Sequence, residues 1–256
     1  MISELMRTRF GAMIVDAALA IRAVPFVGRR YECPCCRWRL RTFTKGGSSL
    51  RARHHGFCPR CNSKARHRRD WLYLEERTDL FTQRRRLLHI SPRFALSRRL
   101  SRAADIDYVG LDIEQRPHLD VQANVSSMPL GGGSFDAVIC IHVLEHVDDD
   151  RSAMQELYRV LKPGGWALIT VPVMLDQPTF EDPTITTPEA RESAFGERSH
   201  VRYYGYDVVD RLEACGFVVT MDRGDEIDSQ AMERYGLLPD ETILHCAKPL
   251  SRDSSD

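Results

Sequence analysis

Over residues 86–249, short apolar runs of strand length alternate with stretches of helical spacing. The clearest helix is predicted over 149–161, which begins in acidic residues and ends at a Lys-Pro-Gly-Gly turn. Seven strands are predicted, over 87–90, 107–113, 119–124, 135–141, 166–172, 216–222 and 241–248. This alternation predicts an α/β fold, with helices on both faces of a doubly wound, mostly parallel sheet.

The rest of the chain divides into smaller regions. We predict a helical arm over 1–28, a small module over 29–63, a connecting helix over 64–84 and the α/β domain over 85–249, with a disordered tail over 250–256. The segment 10–24 is predicted as an amphipathic helix packed on the body, and a helix lying on a membrane surface is the alternative.

Charge is distributed unevenly along the chain. The 256 residues have no net charge, and a content of 43% hydrophobic and 28% charged residues is typical of a soluble globular protein. Residues 1–102 nevertheless hold 24 Lys and Arg against 7 Asp and Glu, and residues 103–256 hold 12 against 29. We therefore expect the basic region to face an anionic partner or the acidic half itself.

No apolar run approaches the roughly 20 residues that span a bilayer, and no clear cleavage site marks a signal peptide. A cytoplasmic protein is therefore expected. In that setting, clustered cysteines indicate a metal site rather than a disulfide framework.

Five of the eight cysteines lie within residues 33–61. Cys33, Cys36, Cys58 and Cys61 form two C-x2-C pairs with 21 residues between them. Two such pairs can supply the four thiolates of a tetrahedral, structural Zn²⁺ site, which predicts a zinc ribbon. Cys35 is then a spare thiol, and the fallback ligands are His54, His55 and His67. An unmetallated thiol cluster is the alternative, although it would leave this module little else to hold it folded.

The run 135-FDAVICIHVLEHVDDDRSAMQELYRVLKPGGWALITVP-172 carries the most specific signal. It resembles the class I S-adenosylmethionine-dependent methyltransferases, in particular the type 11-like group with an FD strand, an H-x-LEH turn and an RVLKPGG segment. The resemblance covers about residues 86–248. It implies a seven-stranded Rossmann-like methyltransferase sheet, S-adenosylmethionine as the cofactor and transfer of a methyl group.

One cofactor-binding residue can also be argued from its chemistry. Asp112 ends the second predicted strand, where a carboxylate can accept both hydrogen bonds of a ribose diol. The resemblance implies the same role for Asp112, and it places Asn124 and Val125 beside the adenine. The full set of predicted cofactor-binding residues is His89, Ile90, Ser91, Pro92, Asp112, Ile113, Asn124, Val125 and Cys140.

The first predicted strand departs from the family pattern. In 86-RLLHISPRFALSRRL-100, His89 stands in place of the family's acidic residue, Ser91 in place of its first glycine, and Pro92 and Arg93 in the rest of the loop. S-adenosylmethionine has no phosphate, so no backbone has to approach a pyrophosphate. Arg93 could attract the methionine carboxylate. The alternative is that cofactor binding is lost and the protein is a non-catalytic, methyltransferase-like binding protein.

The catalytic candidates follow the fourth and fifth strands, at the usual crevice of this fold. Methyl transfer requires alignment and, for many acceptors, a base. His142 directly follows the fourth strand, and His200 lies in a long insertion over 173–205 that we predict to be a lid or acceptor loop. The predicted acceptor is a small metabolite or sugar-like molecule. RNA, held by the basic zinc ribbon, is the alternative partner.

Overall fold

The computed structural model describes residues 9–44, 56–115 and 119–250, and it describes no side chains at 9–13 or at Phe94. His54, His55 and residues 251–256 of the tail predicted over 250–256 lie outside the described residues. The helices are α1 (Arg9–Ala23), α2 (Ala65–Arg77), α3 (Phe94–Leu100), α4 (Asp150–Val160), α5 (Pro188–Phe195), α6 (Val208–Glu213) and α7 (Ser229–Tyr235). The strands are β1 (Val27–Glu32), β2 (Arg39–Leu40), β3 (Arg85–Ile90), β4 (Ile106–Asp112), β5 (Val121–Gln122), β6 (Phe135–Ile141), β7 (Leu161–Thr170), β8 (Val173–Met174), β9 (Phe180–Glu181), β10 (Arg202–Gly205), β11 (Val218–Arg223) and β12 (Thr242–Ala247).

Seven strands form the central sheet, in the order β11-β12-β7-β6-β3-β4-β5. The five strands from β7 to β5 run parallel to one another, and β12 is antiparallel to both of its neighbours. The predicted doubly wound, mostly parallel sheet is therefore confirmed. Chain order reverses between β3 and β6, so the carboxyl ends of β3, β4 and β6 meet where such sheets bind ligands.

Helices cover both faces of this sheet, so alternate residues of one strand enter different cores. Leu88 and Ile90 of β3 pack in the core that contains Met154 and Leu157 of α4. Leu87 packs in the other core, with residues of α2, α3 and the N-terminal module. Burial on both sides explains why these strands appear as nearly continuous apolar runs in the sequence.

The N-terminal module shares the second core with the sheet. Four of its five cysteines, with Leu40 and Phe43, are buried in the same cluster as Trp71 and Leu74 of α2 and the sheet residues Leu87, Ile139 and Trp166, and Cys36 packs against it. The connecting helix was predicted over 64–84 and is observed as α2, which ends earlier, at Arg77. The module is therefore attached to the sheet through a buried apolar interface.

Ion pairs join the basic and acidic halves of the chain. Arg69 pairs with Asp222, Arg30 Nη2 lies 3.4 Å from Glu233 Oε1, and Arg234 Nη2 lies 2.8 Å from Glu32 Oε2. Of the two expectations for the uneven charge, contact of the basic region with the acidic half is realised at Arg30 and Arg69, whereas the Arg234–Glu32 pair joins the halves in the reverse sense.

Secondary structure occupies much of the predicted insertion. Over 173–205, β8, β10 and β9 form a small three-stranded sheet, and α5 lies between β9 and β10. Within the described residues, no helix is both long enough and apolar enough to cross a membrane.

Candidate active site and cysteine cluster

A cavity of about 500 Å³ opens at the point where strand order reverses. It is bounded by the residues that follow β3, β4 and β6, and by the loop after β5. Seven of the residues predicted for the site line it: Ile90, Ser91, Asp112, Ile113, Asn124, Val125 and His142. The sheet therefore brings together residues that are up to 52 positions apart in the chain, counted from Ile90 to His142.

Ser91 and Asp112 bind each other in the wall of this cavity. Ser91 Oγ donates to Asp112 Oδ2 at 3.2 Å, and the amide of Glu114 donates to Asp112 Oδ1 at 3.1 Å. Ser91 has a φ of 44°, in the left-handed region that favours glycine. The serine thus adopts a backbone conformation that favours glycine, and its hydroxyl orients the carboxylate at the end of β4.

The side chains of the other predicted cofactor residues are divided between the cavity and the core. Val125 is buried at the cavity wall, and Asn124 Oδ1 accepts from the amide of Ser126 at 2.9 Å. His89 and Cys140 are buried and do not line the cavity, and Pro92 packs over β4 at Gly110.

His89 has a structural partner on the opposite side of β3. Its Nδ1 lies 3.1 Å from the hydroxyl of Tyr108. Burial lowers the pKa of His89 to about 3, so the imidazole is neutral at physiological pH. Arg93, in contrast, lines the cavity.

His142 is held between two carboxylates. Its Nδ1 lies 2.9 Å from Glu145 Oε1, and its Nε2 lies 3.9 Å from Glu241 Oε2. Burial acts to lower the pKa of His142, but these carboxylates outweigh it and raise the pKa to about 9. The imidazole is therefore a cation at neutral pH, and a cation cannot accept the proton of a methyl acceptor.

His200 lies beside the cavity rather than in its wall. Its ring packs edge-on against that of His146, with the ring centroids 4.7 Å apart, and both His146 and Ser199 line the cavity. Burial lowers the pKa of His200, so this imidazole is neutral at physiological pH.

Two neighbours of His200 in the sequence have structural roles. Arg202 is buried and donates from Nη1 to Leu144 O at 2.9 Å and from Nη2 to Asp148 O at 2.8 Å. Tyr204 is also buried and donates to Asp150 Oδ2 at 2.8 Å. Both side chains anchor the insertion to the segment after β6, which forms part of the cavity wall.

Sequence reasoning missed several residues of the cavity wall. Glu114, Ser126, Asp148 and Asp149 all line it. The acidic run after His146 and the position of Glu114 two residues after Asp112 were available signals. No signal in the sequence pointed to Glu241, because only the folding of β12 onto β7 brings it near His142.

The four predicted zinc ligands meet in the N-terminal module. Their sulfur atoms all lie within 4.8 Å of one another, and the Sγ atoms of the pairs Cys33–Cys61 and Cys36–Cys58 are 3.6 Å apart. Four bonds of about 2.3 Å to a central Zn²⁺ would place the sulfurs roughly 3.8 Å apart. The arrangement therefore fits a tetrahedral ion.

Each cysteine pair sits on the same kind of backbone turn. The amide of Arg37 donates to Cys33 O at 2.7 Å, and the amide of Asn62 donates to Cys58 O at 2.8 Å. Arg37 and Asn62 both have φ near 60°, which reverses the chain directly after the second cysteine. Cys35 donates instead to His67 O at 3.4 Å and is not part of the cluster.

Comparison with known proteins agrees with this geometry. Residues 88–169 match the family model described as "Methyltransferase domain". A "Probable S-adenosylmethionine-dependent methyltransferase" of Mycolicibacterium smegmatis is 28% identical over 115 residues, which are 41% of this chain and 45% of that protein. A ubiquinone biosynthesis O-methyltransferase of Paracidovorax citrulli is 41% identical over 59 residues, 23% of each chain. The chain thus spans less than half the length of these curated relatives.

Solved structures share the fold at low sequence identity. The [4+2]-cyclase SpnF is 18% identical with a TM-score of 0.54, and the match covers 94% of this chain and 96% of that one. An S-adenosylmethionine-dependent methyltransferase from Mesorhizobium loti is 17% identical with a TM-score of 0.51, over 70% of this chain and 97% of the other. In its sequence over 88–169 and in its seven-stranded sheet, the chain is thus similar to the class I methyltransferases.

Proposed function

We propose that this protein is an S-adenosylmethionine-dependent methyltransferase that acts on a small polar acceptor. The observation that carries the proposal is the carboxylate of Asp112, buried in the cavity wall at the carboxyl end of β4 and oriented by Ser91 and the amide of Glu114. A carboxylate has two oxygens that accept hydrogen bonds, which is the chemistry that the two hydroxyls of a ribose require.

The remaining wall offers partners for the other parts of the cofactor. Arg93 supplies a cation for the methionine carboxylate, and the apolar side chain of Val125 supplies a surface for the adenine. Bound S-adenosylmethionine would supply an activated methyl group, for which the protein has to provide alignment and the exclusion of water. The Ser91–Asp112 pair therefore compensates for the missing glycine at the end of β3.

The cavity itself favours a small acceptor. Its volume of about 500 Å³ is within the usual range for small-molecule sites. An RNA acceptor has less support, because several arginines of the basic half bind groups within the chain. Arg60 and Arg102 bind Asp16, for example, and Arg68 donates to four backbone carbonyls.

Isothermal titration with S-adenosylhomocysteine tests the proposal. We expect the wild-type protein to bind and Asp112→Ala to lose at least 10-fold in affinity, because hydrogen bonds to a charged group contribute about 1.5–3 kcal/mol. The matched control is Asp107→Ala, at the exposed opposite end of β4. If the wild-type protein did not bind, or if both variants lost affinity equally, the proposal would be wrong.

We propose further that Cys33, Cys36, Cys58 and Cys61 hold a structural Zn²⁺. The support is the convergence of the four sulfurs on the two turns described above. An all-cysteine set leaves no open position for a substrate, so the ion would stabilise the module without taking part in catalysis.

Metal analysis of protein purified without chelators tests this second proposal. One zinc per chain is expected in the wild type and in Cys35→Ser, whose altered thiol lies outside the cluster. Cys36→Ser should lose the ion, because three thiolates bind zinc less tightly than four. Equal zinc contents in the two variants would contradict the assignment.

A further inference from the structure

A second group of metal-binding side chains lies at the edge of the cofactor cavity. Glu145, His146 and His200 each place one ligand atom within 4.8 Å of those of the other two. Glu145 and His146 follow β6, and His200 comes from the insertion that folds over them. The tertiary fold thus assembles two imidazoles and one carboxylate from distant parts of the chain.

The burial and hydrogen bonding of these atoms indicate what they could bind. Glu145 is 1% exposed; its Oε1 pairs with His142 Nδ1 at 2.9 Å, and its Oε2 is buried without a hydrogen-bond partner among the described residues. His200 Nδ1 is likewise buried and unpartnered within that part of the chain. A buried carboxylate oxygen beside an unpartnered imidazole nitrogen is costly unless a cation or a donor lies between them.

The third side chain is oriented by a neighbour. His146 Nδ1 lies 3.0 Å from Ser199 Oγ, which leaves its Nε2 for a metal. Metal-binding histidines commonly use their second nitrogen for such an orienting hydrogen bond. His142 plays the equivalent part for Glu145, since it pairs with Oε1, whereas Oε2 has no hydrogen-bond partner among the described residues.

We propose that Glu145, His146 and His200 bind a divalent transition-metal cation at the rim of the cofactor cavity. Two imidazoles and one carboxylate form a donor set for ions such as Fe²⁺ or Mn²⁺. Three protein ligands leave coordination positions open, and one of the three, His146, lines the cavity.

The site also indicates a class of acceptor, an inference that rests on the proposed methyltransferase function. A cation at this rim would bind an acceptor hydroxyl and make its proton easier to lose. The oxygen would form its new bond to the methyl carbon as the carbon–sulfur bond breaks, its proton would pass to water, and the electron pair would stay on sulfur. This assigns an oxygen nucleophile, and it removes the need for His142 to act as a base.

Titration of the zinc-loaded protein with Mn²⁺, followed by the electron paramagnetic resonance signal of free Mn²⁺, tests the metal site. Thiolate ligands disfavour Mn²⁺, so the cysteine cluster should not compete. We expect one bound Mn²⁺ per chain, at least a 10-fold loss of affinity in His200→Ala and in Glu145→Gln, and no loss in Glu192→Gln. Glu192 is an exposed carboxylate on α5, in the same insertion as His200.

Binding of S-adenosylhomocysteine by the same samples separates the two proposals. His200 does not line the cavity, so His200→Ala should retain this binding if it is folded. Absence of Mn²⁺ binding in the wild type, or an equal loss in Glu192→Gln, would overturn the metal site whatever the cofactor result. Mn²⁺ binding without S-adenosylhomocysteine binding would instead leave the metal site standing and refute the proposed function.

Discussion

At the scale of single residues, two neighbouring strands that end at the cavity are each followed by a residue with a left-handed backbone conformation. Ser91 after β3 and His142 after β6 have φ values of 44° and 51°, although neither is glycine. A left-handed conformation costs an ordinary residue roughly 1–2 kcal/mol. Such strain persists where the surroundings compensate for it, as the bonds of Ser91 to Asp112 and of His142 to Glu145 do here.

The strain at Ser91 can be measured by substitution. Ser91→Gly should change the free energy of unfolding by less than about 1 kcal/mol, because glycine adopts this φ freely but loses the bond to Asp112. Ser91→Val should lose about 2 kcal/mol or more, since a β-branched side chain is poorly accommodated at positive φ. Urea denaturation of both variants measures the difference, and equal stabilities would show that the residue is not strained.

Asp70 on α2 makes stability depend on pH. It is 1% exposed, and its Oδ2 has no hydrogen-bond partner among the described residues. Burial, with Glu241 nearby, raises the pKa of Asp70 to about 8. The unfolded chain releases this proton near pH 4, so the contribution of the protonated carboxyl to stability declines as the pH rises from about 4 to 8.

We therefore expect Asp70→Asn to be more stable than the wild type at pH 8, by on the order of a few kcal/mol, and similar to it near pH 4. The amide stays neutral at both values and retains much of the shape of the protonated acid. Thermal unfolding across this range checks the expectation, with the exposed Asp107→Asn as the control. A constant difference between Asp70→Asn and the wild type at all pH values would contradict it.

At the scale of elements, the insertion is coupled to the segment that follows β6. Arg202 of β10 donates to the carbonyls of Leu144, Val147 and Asp148, and its Nε lies 2.9 Å from Glu181 Oε2 of β9. These bonds hold the turn that contains Glu145 and His146 against the insertion. The cavity wall therefore depends on a side chain that does not line it.

Arg202→Ala should destabilise the protein by about 3–5 kcal/mol, because it leaves buried carbonyls and a carboxylate without their partner. It should also weaken S-adenosylhomocysteine binding by disordering the wall. Arg198→Ala changes an exposed arginine of the same insertion that pairs with Glu189 and Glu192, and it should cost less than about 1 kcal/mol. Denaturation and titration with S-adenosylhomocysteine compare the two variants. Equal losses in stability and affinity would show that Arg202 does not hold the segment after β6 against the insertion.

On the scale of the whole molecule, the cysteine module and the sheet behave structurally as one body. Their apolar residues form one buried cluster. Arg68, buried on α2, joins distant parts of the chain by donating to Ser63 O at 3.0 Å and to Gly236 O at 2.6 Å. Independent domains share few contacts at their boundary. The cysteine module and the sheet instead share a buried apolar core.

Loss of the Zn²⁺ that we propose for the cysteine cluster should consequently destabilise the whole chain. We expect Cys36→Ser to unfold in a single transition at a lower temperature than Cys35→Ser, because the module cannot melt without exposing the core that it shares with α2 and the sheet. Calorimetry distinguishes the outcomes. Two separate transitions, with the later one at the wild-type temperature, would show that the module folds independently.

Much of the fold could be predicted because its signals are local. Apolar runs located the seven strands, and a cap and a breaker located α4, which is observed over Asp150–Val160. Boundaries were less accurate where packing decided them. The strand predicted over 119–124 is reduced to Val121–Gln122 at the sheet edge, and β7 begins five residues earlier than predicted, at Leu161.

The sequence by itself determined which chemical groups stand at the strand ends and in the two cysteine pairs. Spacing carries that information, because a strand end or a C-x2-C turn involves only a few neighbouring residues. Only the tertiary structure decided that His89 faces away from the cavity, that His142 lies between Glu145 and Glu241, and that His200 reaches Glu145 and His146. Side-chain direction and pKa depend on groups that are distant in sequence and become neighbours only when the sheet and its insertion pack.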